Sequence, residues 1–338
     1  MTVRHHNASQ SVRACAASAI LAIAVSVGPA PAQERTANDL LSAVVGIKTY
    51  INPDARTGEN LGHRREGSGV VLDSNGLVLT IGYLMVEAHG AEIVTLEGRT
   101  VPANIVGYDH ESGFGLLQAI VPLNVPAMPM GSSADVKERD QALIIGSGGV
   151  SRAAAVTVVS KREFAGSWEY LLPDAIFTSP PYPSWSGAAL VSRDGKLVGI
   201  GSLVVRNASG DDVPSAGNMF VPIDHLPPIL GDMMVSGHSG AAPTPWMGLT
   251  TEQSHGRLVV SRAVPDGPAE KAGIRRGDVI TGVDGRSTGE LGDFYRKVRG
   301  LGSAGVTVPL DIERSGEKRR IDIKSMNRRE HLKLNSTF

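Results

Sequence analysis

The chain has 338 residues, 41% of them hydrophobic and 20% charged, which suits folded domains and a length of about two of them. Glycine numbers 40, proline 20 and aromatics only 4%, a balance that favours many short strands joined by turns over long helices. A formal charge of −1 with no basic stripe excludes a general nucleic-acid binder.

At the N-terminus, Arg4 and Arg13 precede or adjoin an apolar run over 14–27, and Ala30-Pro31-Ala32 forms a small-residue cleavage site. This predicts a secretory signal peptide over 1–32. The apolar run is shorter than the about 20 residues that span a bilayer, so an uncleaved anchor is the alternative and no stable membrane span is expected after cleavage. The single cysteine, Cys15, lies in this segment, which leaves no cysteine chemistry for the exported chain. Without 1–32 the chain carries 31 basic and 34 acidic groups, a mild net charge of −3.

Apolar β-rich runs follow at 43–51, 67–73, 76–82, 91–96, 101–109 and 115–120, then at 141–146, 154–160, 175–179, 188–192, 196–205 and 218–223. The breaks between them carry turn residues such as Ser74-Asn75-Gly76 and Arg193-Asp194-Gly195. A dozen short strands at this spacing predict an all-β barrel or sandwich. Residues 231–245 are Gly/Pro-rich and low in charge, and read as a linker.

Beyond it the pattern changes. Residues 257–264 predict a strand, and 267–274 a short helix opened by Pro268 and stopped by Gly273. A strand and an Asp284-Gly285 hairpin turn come next. Residues 287–302 predict an amphipathic helix, with Ser287 and Glu290 at capping-box spacing. A final hairpin closes around 315–317, and 326–338 read as a flexible tail.

The run GPAEKAGIRRGDVITGVDG (267–285) is similar to the PDZ-domain pattern in its Gly, Asp and apolar positions over nineteen residues. A β-rich domain before it, behind a signal peptide, resembles the HtrA/Deg family of envelope serine proteases. Three further segments carry that resemblance: GSGVVLDSNGLVLT (67–80), MPMGSSADVKERDQALIIG (128–146) and GNMFVPIDHL (217–226). The resemblance implies a mainly β chain: a chymotrypsin-like double β-barrel over 33–230, the linker over 231–245, and a small α+β PDZ domain over 246–325.

Serine-protease chemistry needs a serine, a base to take its proton, a carboxylate to orient the base, and backbone donors for the oxyanion. On the family's pattern Ser186 takes the nucleophile position, within Ser184-Trp185-Ser186-Gly187-Ala188-Ala189-Leu190. The histidine position holds Tyr83, or Leu84 if the register shifts by one, and the aspartate position holds Gly113. Ser184 stands where a glycine would turn its N–H toward the oxyanion; if that place requires positive φ, its side chain is strained by about 1–2 kcal/mol. Ala188 replaces another glycine. His89 reads as a turn histidine, and His110 as a remote candidate for a dyad with Ser186. Losing the base alone costs a serine protease about 10⁶ in kcat, so the resemblance implies a catalytically degenerate domain. The alternative is a weak serine endopeptidase that uses Ser186 with a non-standard base.

No His-Glu-x-x-His or P-loop pattern is present, so neither a metal nor a cofactor is expected. Trp246, Met247, Gly248 and Leu249 match the family's carboxylate-binding loop, and Phe294 and Val298, i,i+4 partners, would form the opposite wall of a peptide groove. The expected partners are therefore peptides or protein C-termini. The family resemblance also implies a homo-trimer and a periplasmic location.

Overall fold

In the computed structural model, residues 1–2, 36–211 and 213–334 are described; the expected signal peptide lies outside them apart from its first two residues. Helix α1 (Ala37–Ser42) is opened by a capping box between Thr36 and Asp39 and leads into the first of two barrels. Its strands are β1 (Val44–Ile51), β2 (Arg64–Val71), β3 (Leu77–Ile81), β4 (Ala88–Val94), β5 (Thr100–Tyr108) and β6 (Phe114–Ala119), with helix α2 (Gly58–Leu61) between β1 and β2. They close in the order β1-β2-β3-β6-β5-β4.

The second barrel repeats that plan with β7 (Gln141–Ile145), β8 (Ala153–Gly166), β9 (Tyr170–Ser179), β10 (Ala189–Val191), β11 (Leu197–Val205) and β12 (Gly217–Pro222), closed as β10-β11-β12-β9-β8-β7. Closure removes free strand edges from both barrels. His89, expected in a turn, lies on β4, where the strand begins one residue earlier.

Burial on both faces of the strands explains why so many runs are apolar without strict alternation. In β1, Val45 and Ile47 fill the first barrel, whereas Val44 joins a separate cluster with Val70, Leu79, Phe114, Phe177 and Ile200. That cluster draws residues from both barrels and is the seam between them. Every residue of β3 is buried. A strand covered on two sides reads as a continuous hydrophobic run.

Helix α3 (Pro227–Ser236) follows β12, started by Pro227-Pro228 and stopped by Gly237 in the left-handed conformation. It overturns the expectation of a linker from residue 231: the short run up to Ser236 is helical, and the Pro start and Gly stop were there to be read.

The C-terminal domain consists of β13 (Leu249–Ser254), β14 (Arg257–Ala263), α4 (Pro268–Lys271), β15 (Val279–Val283), β16 (Arg286–Ser287), α5 (Leu291–Arg299), β17 (Thr307–Arg314) and β18 (Glu317–Lys324). Its main sheet runs β13-β14-β15-β17-β18, which leaves β13 at an edge. Asp284 and Gly285 both have positive φ and join β15 to β16 by a two-residue turn, as their identity requires.

The capping box at Ser287 does not form. Ser287 is paired with Gly282 in the β16 hairpin, and α5 starts only at Leu291 with no side-chain cap. The described part of the expected tail, 326–334, makes defined contacts. Met326 pairs with Trp246, helix α6 (Arg328–His331) is capped by Asn327, and His331 is buried.

Candidate functional site

Tyr83 lies in a 3₁₀ turn, Gly82–Leu84, directly after β3. Two buried side chains fix the carbonyls of that turn. Arg65 donates to the Tyr83 carbonyl at 2.6 Å and the Val86 carbonyl at 3.1 Å, and Thr49 Oγ1 donates to the Leu84 carbonyl at 2.5 Å. Arg65 also donates to the Gly62 carbonyl and Thr57 Oγ1, so this arginine, only 5% exposed, has four acceptors. Burial pulls its pKa down to about 10, against the attraction of Glu87, and it stays charged at neutral pH.

Ser186 lies in the loop between β9 and β10. Its carbonyl accepts from Ser68 N at 2.8 Å, and the Ser68 carbonyl accepts from Thr80 Oγ1 at 2.7 Å, which ties the loop to the first barrel. Gly187 has φ +72°, and a Cβ there would come within 1.9 Å of the Ser68 carbonyl oxygen. Only glycine fits that position.

The two segments meet hydroxyl to hydroxyl. Tyr83 Oη is 2.8 Å from Ser186 Oγ and 3.0 Å from the Ser202 carbonyl oxygen, which also accepts from Trp185 Nε1 at 3.0 Å. The phenol thus has one proton and two oxygens in reach. Burial pushes the Tyr83 hydroxyl up to about 12, outweighing the hydrogen bond to Ser186 that pulls it down. In its neutral form it donates or accepts a hydrogen bond but cannot hold the serine's proton.

Gly113 has φ +83° and ends a turn whose carboxylate is committed elsewhere. Asp109 accepts from Ser112 N and Oγ and from Ser239 Oγ, all within 2.8 Å. His110 does not reach the serine. It is paired with Tyr108 Oη at 2.9 Å and approached by Arg328 at 2.8 Å; burial and that guanidinium hold its pKa well below the usual imidazole range.

Ser184 shows no positive φ, so the strain anticipated for its side chain does not arise; Gly187 takes the left-handed conformation instead. Ser184 Oγ accepts from Arg152 at 3.0 Å. Among the described residues, no acceptor is seated on the N–H groups of Ser184 or Ser186.

A cleft of about 720 Å³ opens beside this serine loop, with Tyr83, Tyr108, Trp168, Trp185, Trp246 and His331 in its walls. It runs between the barrels, the C-terminal domain and the α6 segment.

The expected peptide loop lies on the far side of Trp246. Gly248 takes φ +79° and turns the chain into β13, while Met247 and Leu249 are buried in the domain core with Phe294 and Val298. The β8–β9 hairpin fills the space the loop encloses. Glu169, at its tip, accepts from Met247 N at 2.9 Å and Leu249 N at 2.7 Å, one bond to each carboxylate oxygen. The Ser167 carbonyl accepts from Thr251 N at 2.8 Å, and Leu171 is packed into the C-terminal domain's core. Arg65, Glu169, Trp185 and Ser202 were not signalled by the sequence. Each makes at least one of its contacts with a residue more than fifteen positions away along the chain.

The family comparisons agree with this architecture. A trypsin-like peptidase domain model matches residues 67–200 and a PDZ domain model matches 245–325. The putative serine protease HhoA of Synechocystis sp. is 26% identical over 289 residues, 76% of this chain and 69% of its own length. A probable periplasmic DegP-like serine endoprotease of Halomonas elongata is 25% identical over 285 residues, covering 80% of this chain but only 58% of the relative.

The chain is of the HtrA type. The solved HtrA-type protease AlgW with a decapeptide superposes with a TM-score of 0.51 at 20% identity, covering 86% of this chain and 98% of that one. In this fold the Tyr83–Ser186 pair links the first barrel to the second, and Glu169 contacts the loop that enters the C-terminal domain.

Proposed function

We propose that this protein is an exported, HtrA-like pseudoprotease that binds peptides or protein C-termini through its PDZ domain and acts in envelope protein quality control as a scaffold, sensor or modulator. The 2.8 Å approach of Tyr83 Oη to Ser186 Oγ carries the reading, because a phenol occupies the place from which a base would have to act. With a pKa near 12, the tyrosinate fraction at pH 7 is roughly 10⁻⁵. Gly113 offers no carboxylate, and Asp109 nearby is saturated by its own turn and Ser239.

The PDZ assignment supports the binding half of the proposal, since such domains add an extended C-terminus to a sheet edge and hold its carboxylate on backbone N–H groups. The signal-like segment over 1–32 and the periplasmic designation of the Halomonas relative support export to the periplasm. Among the described residues, no helix is long and apolar enough to cross a membrane.

A fluorophosphonate probe separates this function from a weak endopeptidase. The proposal expects no labelling of Ser186 at neutral pH. Labelling that disappears in Ser186→Ala would establish the enzyme instead.

A further inference from the structure

An extended ligand of a PDZ domain meets three features: backbone donors for its terminal carboxylate, an edge strand for its main chain, and an apolar pocket for its last side chain. In this protein one segment of its own chain meets all three. The Glu169 carboxylate takes the N–H groups of Met247 and Leu249. Two residues back, the Ser167 carbonyl takes the N–H of Thr251, two residues on from Leu249. The two segments run in opposite directions over this short stretch, held by one main-chain bond and two bonds to a side-chain carboxylate. Leu171 supplies the apolar side chain, buried in the cluster with Leu249, Phe294 and Val298.

Tyr295 of helix α5 closes the arrangement. Its hydroxyl donates to the Gly166 carbonyl at 2.8 Å and accepts from Glu169 N at 3.1 Å. Glu169 has φ +62°, which turns the chain away after the carboxylate is delivered, so an internal residue can do what a chain end does. Outside the groove, Glu163 holds Arg296 of the same helix.

We propose that the Ser167–Leu171 hairpin tip is a built-in ligand of the PDZ groove, and that an extended peptide with a free C-terminal carboxylate and an apolar last residue binds by displacing it. The side-chain carboxylate of Glu169 stands in for the terminal carboxylate of that peptide. The inference rests on the reading of the C-terminal domain as a peptide binder. An external ligand then meets a site already occupied, and its apparent affinity is lowered by the fraction of molecules in which the hairpin is docked.

The test uses the purified full chain and a fluorescent decapeptide ending in Leu with a free carboxylate, its amidated form being the control. Glu169→Ala is expected to bind the free peptide about tenfold tighter than the unaltered protein, or better. Gly248→Glu and the amidated peptide are expected not to bind. Equal affinity in the unaltered protein and Glu169→Ala would overturn the built-in ligand while leaving the PDZ reading intact. No binding by either would overturn both. Amide exchange on the unaltered chain needs no substitution: saturating peptide should speed exchange at Ser167–Glu169 while Thr251 stays protected. Unchanged exchange at the hairpin despite bound peptide would likewise overturn the proposal.

Discussion

Arg65 donates through a single nitrogen to the carbonyls of Tyr83 and Val86, and so holds the 3₁₀ turn that sets the phenol against Ser186. The arginine is nearly sealed from solvent, and its remaining donors serve the Gly62 carbonyl and Thr57. Removing it leaves several buried carbonyls without donors and Glu87 without its cation. Arg65→Ala is expected to destabilise the fold by about 3–5 kcal/mol, measured by urea unfolding. Arg65→Lys should recover only part of that loss, because an ammonium lacks the planar fork that reaches four acceptors.

Tyr83→Phe removes one hydroxyl from the serine site. The Ser202 carbonyl keeps Trp185 as a donor, and Ser186 loses its side-chain partner. The expected cost is about 1 kcal/mol, with peptide binding by the PDZ domain unchanged. A loss beyond about 3 kcal/mol would show that the tyrosine organises more of the cleft than its two hydrogen bonds.

Gly187→Ala places a methyl where the Ser68 carbonyl oxygen lies 1.9 Å away, on a backbone with φ +72°. That oxygen is backbone and not a flexible side-chain end, so the loop must move or the barrels part locally. The variant is expected to lose more than about 3 kcal/mol in thermal or chemical unfolding.

Burial pushes the Glu169 carboxyl up to about 7, although the N–H groups of Leu249, Met247 and Gly248 and the charge of Arg328 pull it down. In a released hairpin the group returns toward its ordinary 4.5. A raised carboxyl favours the docked state while protonated, so docking is strongest below about 4.5 and weakens as pH rises toward 7. Burial and the neighbouring Arg328 hold the pKa of His110 well below the usual imidazole range. Hairpin protection in amide exchange is therefore expected to be greater at pH 5 than at pH 7.5, and peptide affinity correspondingly lower at pH 5. Glu169→Gln should abolish both trends.

Much of the architecture could be read from residue patterns alone, because the devices that end strands and helices are local. The dozen barrel strands, the Asp284-Gly285 turn and the Gly273 stop all rest on short-range chemistry. The same holds for the Pro-started α3, which was missed only because small residues around it outweighed its own start and stop signals.

The failures share the opposite origin. Ser287 has the spacing of a cap, yet strand pairing with Gly282 claims it. The tail looks polar in sequence, yet its His331 is buried against Trp246, with ring centroids 4.8 Å apart and the rings tilted by 43°. Glu169 is one charged residue in a hairpin tip, and nothing beside it in sequence signals the backbone donors of a loop some eighty residues away. Tyr83 and Ser186 are 103 residues apart in sequence, and the Ser202 carbonyl that shares the phenol's proton is a contact only folding creates.

The most direct measurement of the central claim is casein digestion by the purified protein at pH 7.5, side by side with Ser186→Ala. The account predicts the same negligible background for both. Digestion by the unaltered chain that Ser186→Ala abolishes would contradict it, and would require a base for the Ser186 proton other than a neutral phenol.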